Sequence, residues 1–306
     1  MIWIYSPVME IRDEILKLKK EKNAVILAHN YQIPEIQDIA DFVGDSLDLS
    51  KKARDTDADV IVFCGVKFMA ETAKILSPEK TVLLPEKDAG CPMADMVTPE
   101  DVMDLRKKYP DATFVAYVNT NADVKALIDV CCTSANAVKV VNGIKAHRIV
   151  FLPDKNLGKW VQRHTDKEII IWHGFCPTHH SFITPEDIKN LKKEHPDALV
   201  MVHPECTPEV IDLADEVAST NGMVRIARES NKKEFIVGTE EGLAYRLKKE
   251  NPEKEFYPIK KAICSDMKKI NLQSILNSLK YNQFEIKLSD EIITRSRNAL
   301  NRMLEF

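Results

Sequence analysis

Glycine is scarce in this sequence, nine residues in 306. Neither G-x-G-x-x-G nor G-x-x-x-x-G-K-[ST] occurs, so a Rossmann dinucleotide site and a P-loop have no support. Positive charge is not in excess: 43 Lys and Arg against 47 Asp and Glu give a net charge of −4. The signs are mixed along the chain, and Lys-rich runs such as 17–22 read as solvated helix faces. That argues against a nucleic-acid surface, which needs a clustered basic face. No apolar run reaches the length of a membrane span. The opening "MIWIYSPVM" lacks a basic flank and a small-residue cleavage site. It reads as a short strand or a stretch ahead of an alternative start at Met9, not as a signal peptide. The seven cysteines contain no C-x-x-C. In a cytoplasmic protein, the expectation here, they are thiols or metal ligands and not disulfides. What remains is a globular composition, 44% hydrophobic and 29% charged, on a chain long enough for two or three domains.

What is present is a repeat. The segments "LAHNYQIPEIQDIAD" (27–41), "VAYVNTNADVKALID" (115–129) and "VMVHPECTPEVIDLAD" (200–215) each run from apolar through polar to an amphipathic stretch ending in Asp. These are Asp41, Asp129 and Asp215, spaced 88 and 86 residues apart. A second apolar run is centred 22 residues after each, at Phe63, Phe151 and Val237. A third follows: "TVLLP", "EIIIW", "EFYPI". Soon after each third run stands a cysteine, Cys91, Cys176 or Cys264. "TPED" helix starts, with an N-cap Thr, Pro in the first turn and early acidic residues, follow twice, at 98–101 and 184–187. Short apolar strands alternating with amphipathic helices predict parallel α/β layers. The expected fold is α/β: three α/β/α sandwich units related by a pseudo-three-fold axis around a central site. Their expected ranges are 1–97, 98–183 and 184–270, with a closing helix and strand over 271–306.

Equivalent residues of three such units meet near the axis. The cysteines after the third strand would then form one site. Three thiolates suit zinc with a fourth ligand, or an iron–sulfur cluster with one iron left open as a Lewis acid. A local Cys-x-x-His zinc pair in "GFCPTHH" (174–180) needs a second pair, and the sequence offers none. Cys64, Cys131, Cys132 and Cys206 share no common offset and read as small buried hydrophobes.

Three further triplets carry polar chemistry. Twelve residues before each marker Asp stand His29, Tyr117 and His203; two residues on stand Tyr31, Asn119 and Glu205. All follow the first strand of their unit, where open parallel sheets hold their ligands. Five residues after the marker stand Ser46, Ser134 and Thr220, hydroxyls beside helix N-terminal amides and so suited to an anion. The residues alone point to an Fe–S enzyme of dehydration or condensation on a small anion.

The stretches "LAHNYQ", "DIADFVGDSL", "FMAETAKIL", "YVNTNADVKA", "TSANAVKVV", "PDKNLG", "GFCPTHH", "HPEC", "IVGTEEGL" and "CSDMKK" resemble quinolinate synthase, the NadA family of NAD biosynthesis, over roughly 24–270. The resemblance implies a [4Fe–4S] cluster on Cys91, Cys176 and Cys264 with one open iron. It implies condensation of iminoaspartate (iminosuccinate) with dihydroxyacetone phosphate to quinolinate, phosphate and water. A transient partner would supply iminoaspartate; neither nucleic acid nor membrane is implied. Substrate would be held by His29, Ser46, Tyr117, Asn119, Ser134, His203, Glu205 and Thr220. Tyr31 and Glu205 match the family's acid/base residues, and His203, Tyr117 and His29 complete the expected catalytic set. His179 is a weaker candidate, and His180 reads as structural. The departures are Asn221 in place of a usual Gly, where a left-handed turn is expected, Asn121 in place of Ser, and Asp266 in place of Asn. The alternative activity is that of another [4Fe–4S] hydro-lyase acting on a small anion.

Overall fold

The structure is a computed structural model that describes residues 7–306. The strand or alternative start expected at the opening falls mainly on residues 1–6, outside the described residues; Val8 and Met9 already belong to the helix Pro7–Glu21.

Among the described residues twelve strands form three four-stranded sheets. The first holds β1 (Ala24–His29), β2 (Phe42–Gly44), β3 (Val60–Cys64) and β4 (Thr81–Leu83). The second holds β5 (Thr113–Tyr117), β6 (Val130–Cys132), β7 (Arg148–Leu152) and β8 (Glu168–Ile171). The third holds β9 (Leu199–Val202), β10 (Glu216–Val217), β11 (Glu234–Gly238) and β12 (Glu255–Pro258). Every pairing is parallel, and the order is the same three times: β2-β1-β3-β4, β6-β5-β7-β8, β10-β9-β11-β12. Strands such as β1 and β3 are continuous apolar runs because helices cover both faces of a parallel sheet; Ile26, Leu27, Ile61 and Phe63 are all buried. The α/β/α units expected from the sequence are therefore present.

The marker aspartates have a common physical cause. The carboxylates of Asp41, Asp129 and Asp215 accept from the backbone N–H of Ile26, Phe114 and Val200 at 2.8, 2.7 and 2.8 Å. Their own N–H groups donate back to the carbonyls of the same three residues at 2.9, 3.1 and 2.9 Å. The edge strands β2, β6 and β10 each begin one residue later. The Asp side chain thus extends a very short ladder and satisfies a donor that the edge strand does not reach. The two "TPED" starts are capping boxes, with Thr98 and Thr184 accepting from the N–H of Asp101 and Asp187 at 3.2 and 3.3 Å.

After residue 270 the chain forms the helix Leu272–Tyr281, packed on the helix Pro7–Glu21. It then bridges antiparallel to β4 at Leu83 and Glu285 and ends in the helix Asp290–Leu304, packed on β6. In place of an expected strand, the closing segment carries only that bridge. Among the described residues no helix is long and apolar enough to cross a membrane.

Candidate active site and ligand thiols

The loops after the first strands bring their polar residues together. His29, Tyr31, Tyr117, Asn119, His203 and Glu205 all line one cavity of about 210 Å³. Ser46, Ser134 and Thr220 line it too, as do Cys91, Cys176 and Cys264. The repeat therefore collects all twelve expected site residues at one place. The other four cysteines, Cys64, Cys131, Cys132 and Cys206, are fully buried and lie elsewhere.

Each lining cysteine precedes a helical turn. Cys91 comes before Ala94–Met96, Cys176 caps Pro177–Phe182, and Cys264 comes before Met267–Lys269. Backbone N–H groups of those turns point at the sulfurs: Ala94 and Met93 at Cys91, His179 at Cys176, Met267 and Asp266 at Cys264. Burial pushes all three thiols up, Cys264 to about 11, and these amides pull the other way. Thiols so desolvated ionise when a cationic group binds them. Four thiolates on one zinc at about 2.3 Å would lie roughly 3.8 Å apart. Among the described residues the three cysteines form no such close group, whereas Cys176, His179 and Glu205 offer ligand atoms within 4.8 Å of one another.

Two imidazoles face the cavity in the same way. The N–H of Tyr31 donates to Nδ1 of His29 at 3.2 Å, and the N–H of Glu205 donates to Nδ1 of His203 at 3.3 Å. Nδ1 is thereby an acceptor, so the ring proton sits on Nε2. Burial, then mutual repulsion with neighbouring imidazoles, lowers both rings to about 3, so they are neutral donors near pH 7. Nε2 of His203 lies 3.2 Å from Ser134 Oγ. Oδ1 of Asn119 is shielded from solvent and has no hydrogen-bond partner among the described residues. A buried acceptor left open at a cavity wall calls for a ligand donor.

His179, the weaker candidate from sequence, is central. Its Nδ1 lies 2.6 Å from Glu205 Oε2, and its Nε2 lies 2.9 Å from Thr239 Oγ1 and 3.3 Å from the Tyr31 hydroxyl. Tyr31 and Thr239 hydroxyls are 2.7 Å apart. Burial pushes the Glu205 carboxyl up, but His179 and His203 outweigh it and hold the group below the usual carboxylate range. Burial and the Glu205 charge raise both Tyr31 and Tyr117 well above the ordinary tyrosine value. The result is a hydroxyl–imidazole–carboxylate chain ending on a protonated tyrosine.

Sequence reasoning missed the supports. Asp154 is fully buried and accepts from the N–H of Cys176 at 3.1 Å and of Leu157 at 2.7 Å. Glu240, also fully buried, accepts from the N–H of Cys264 at 3.2 Å and pairs with Lys268 at 2.9 Å. Lys268 also donates to the Tyr31 carbonyl at 2.7 Å. Asn156 holds the Glu205 carbonyl at 2.9 Å and meets His180 at 3.0 Å, which gives His180 its structural role. Gly174 is required because a Cβ there would stand 2.6 Å from the Pro153 carbonyl oxygen. A further repeat offset was available, since Asp154 in "PDKNLG" and Glu240 in "VGTEEGL" lie 86 residues apart.

The departures resolve as follows. Asn221 does not occupy a left-handed turn: it lies in the first turn of the helix Thr220–Glu229, and no positive φ occurs there. Its side chain bridges Asp48, Asn30 and Arg246. Asn121 donates to Asp95 at 3.0 Å. Asp266 lines the cavity and pairs with Lys269 at 2.7 Å.

Known proteins bear on the site as a whole. The family model described as "Quinolinate synthetase A protein" matches residues 13–305. The chain is 62% identical to the quinolinate synthase of Thermodesulfovibrio yellowstonii, over 95% of this chain and 97% of that one. It is 56% identical to the quinolinate synthase of Caldicellulosiruptor bescii, over 96% and 98%. With that of Aquifex aeolicus it shares 54% identity, over 97% and 94%. A match that covers nearly every residue, the range of the three cavity thiols and the three cavity imidazoles included, leaves one conclusion: the chain belongs to the quinolinate synthetase A family.

Proposed function

We propose that the cavity condenses iminoaspartate with dihydroxyacetone phosphate, giving quinolinate, phosphate and two waters. Family membership makes the protein an enzyme of quinolinate formation in NAD biosynthesis. The finer reading rests above all on the twelve equivalent residues that line one cavity. A [4Fe–4S] cluster on Cys91, Cys176 and Cys264 is part of it, as are the unit boundaries at 97/98, 183/184 and 270/271. When bound, the cluster supplies a Lewis-acidic iron that helps a hydroxyl leave. Free thiols among the ligands favour a reducing, cytoplasmic setting. Because iminoaspartate hydrolyses readily, a transient partner that delivers it fits the same reading.

The chain's own residues have distinct tasks. Ser46, Ser134 and Thr220 bind carboxylate or phosphate oxygens. Nε2–H of His29 and of His203 donate to anionic substrate oxygens without carrying charge themselves. The open Oδ1 of Asn119 accepts from the imine N–H or a triose hydroxyl. Glu205, held ionised, orients His179 for proton transfer, while Thr239 fixes the far side of the ring. Tyr31 then gives a proton to a departing hydroxyl. This is the logic of a triad, in which a carboxylate orients an imidazole next to a hydroxyl.

The test is quinolinate formation from the two substrates by anaerobically reconstituted protein. Glu205→Gln is expected to lower turnover at least about a thousandfold while the cluster absorbance stays. Absence of quinolinate from the wild type would overturn the reading in favour of another hydro-lyase. Loss of the absorbance in the variant would make Glu205 a structural residue.

A further inference from the structure

A second, larger cavity of about 540 Å³ adjoins the first. Asp45 and Ser134 line both. Its walls come from all three units, through Leu47, Val138 and Val224. These stand on the helices Ser46–Asp55, Ala137–Gly143 and Thr220–Glu229, which begin at or just after the three cavity hydroxyls. Ser134 and Asp45 therefore mark the boundary between two spaces. That boundary is closed by side-chain contacts between units: Ser219 Oγ donates to Asp45 Oδ2 at 3.1 Å, and His203 Nε2 stands 3.2 Å from Ser134 Oγ.

The outer space carries uncommitted positive charge. Arg225 and Arg228 line it from one helix, a turn apart and so on one face. Arg246 also lines it but is committed, to Glu250 at 2.7 Å and to Asn30 at 2.8 Å. Two carboxylates, Asp45 and Asp48, line it too and bond only to neutral groups, so three guanidiniums face two carboxylates and the excess is positive. Asp45 accepts from the N–H of Leu47 and Asp48 and from Ser219, and Asp48 accepts from Asn221. Among the described residues Arg225 makes no side-chain hydrogen bond or ion pair, and Arg228 meets a carboxylate only at Glu229, 3.9 Å away. Two exposed guanidinium groups over a cavity stand out on a chain of net charge −4, which otherwise repels anions.

We propose that the outer cavity is an antechamber in which Arg225 and Arg228 gather the anionic substrates, the phosphorylated triose foremost, on the outer side of the wall that Asp45 and Ser134 share with the inner cavity. The proposal rests on the substrate reading above. A guanidinium fork matches phosphate geometry. A cationic mouth raises capture rates by about 10- to 1,000-fold, an effect that salt removes.

The reconstituted holoenzyme tests it through the salt dependence of kcat/KM for the triose phosphate. The pair Arg225→Glu and Arg228→Glu is expected to lower kcat/KM roughly tenfold at low ionic strength, with kcat within about twofold. The gap should close near about 0.5 M salt. Lys189→Glu, an exposed charge on the helix Pro185–Glu194 away from both cavities, should change neither value. If the reversed pair fails to fold, Arg225→Gln with Arg228→Gln carries the test, with about half the logarithmic effect. Binding of inorganic phosphate, followed by calorimetry, should weaken at least about fivefold in the reversed pair. Unchanged kcat/KM at low salt, or unchanged phosphate binding, overturns the antechamber. A wild type that binds phosphate through these arginines yet forms no quinolinate overturns only the substrate reading.

Discussion

The three cysteine loops at the cavity are supported differently. In the second and third units the N–H of the cavity cysteine is held by a buried carboxylate, Asp154 for Cys176 and Glu240 for Cys264. The first unit has Val66 at the corresponding offset, 88 residues before Asp154. Its loop is tied instead by a backbone bond from the Lys67 N–H to the Ala89 carbonyl at 2.8 Å. The first-strand residue divides the units another way: His29 and His203 in the first and third, Tyr117 in the second. The shared parts, strand order and aspartate clasp, serve the sheet. The divergent parts serve the site, where one substrate pair must be met by three unlike walls.

The largest expected effect sharpens the second contrast. His29 and His203 sit near 3 in the folded state against an ordinary 6.5. Between those values the unfolded chain binds a proton that the folded one does not, so stability rises with pH there. The contribution is complete above about 6.5 and is lost as pH falls toward 3. Each ring costs about 1.4 kcal/mol per pH unit across that window. The buried carboxyls of Asp45, Glu71, Asp154 and Glu240, raised by burial, tilt the total slope the other way, so the comparison is between variants in urea unfolding of the cluster-free protein from pH 6 to 4. His29→Gln should lower the wild-type slope by about 1.4 kcal/mol per pH unit, and Tyr117→Phe should leave it unchanged. A slope untouched by His29→Gln would remove the contrast.

Next comes the brace contrast. Glu240→Gln leaves the Lys268 ammonium without its counter-charge and should cost about 3 kcal/mol. Burial raises the Asp154 carboxyl, no cation among the described residues pairs with it, and an amide keeps one acceptor. Asp154→Asn should therefore cost only about 1 kcal/mol. Equal losses in urea unfolding would mean the two braces are interchangeable.

Smaller effects test what the units share. Asp41→Ala, Asp129→Ala and Asp215→Ala each orphan one strand N–H and should cost about 1–3 kcal/mol. The surface partners Lys19 of Asp41 and Arg106 of Asp129 add little. Smallest are the capping threonines: Thr98→Ala and Thr184→Ala should each cost about 1 kcal/mol by the same measurement.

Much of this was legible because each unit repeats. The marker aspartates, first-strand polar residues and ligand cysteines recur at near-constant offsets, so spacing alone carried them to one cavity. The edge strands β2, β6 and β10 were not legible; two or three residues are too few to display a period. His179, Thr239 and Lys268 have no equivalents among the triplets, and their roles come from tertiary contacts between residues 26 to 237 apart in sequence. Asp154 and Glu240 fell between the cases, a pair where the search sought threes. Asn221 was misread because the Gly it replaces suggested a turn, whereas Ser219 caps a helix there, accepting from the N–H of Gly222 at 3.2 Å.

The central claim is that three units each give one thiol to a single cluster. Iron and acid-labile sulfide content, measured after anaerobic reconstitution of the wild type and of the seven single Cys→Ser variants, tests it most directly. About four irons and four sulfides per chain are expected in the wild type. Most of both should be lost on substitution of Cys91, Cys176 or Cys264, and none on substitution of Cys64, Cys131, Cys132 or Cys206. A single zinc without sulfide, lost only with Cys176 and held by its neighbours His179 and Glu205, would contradict the account.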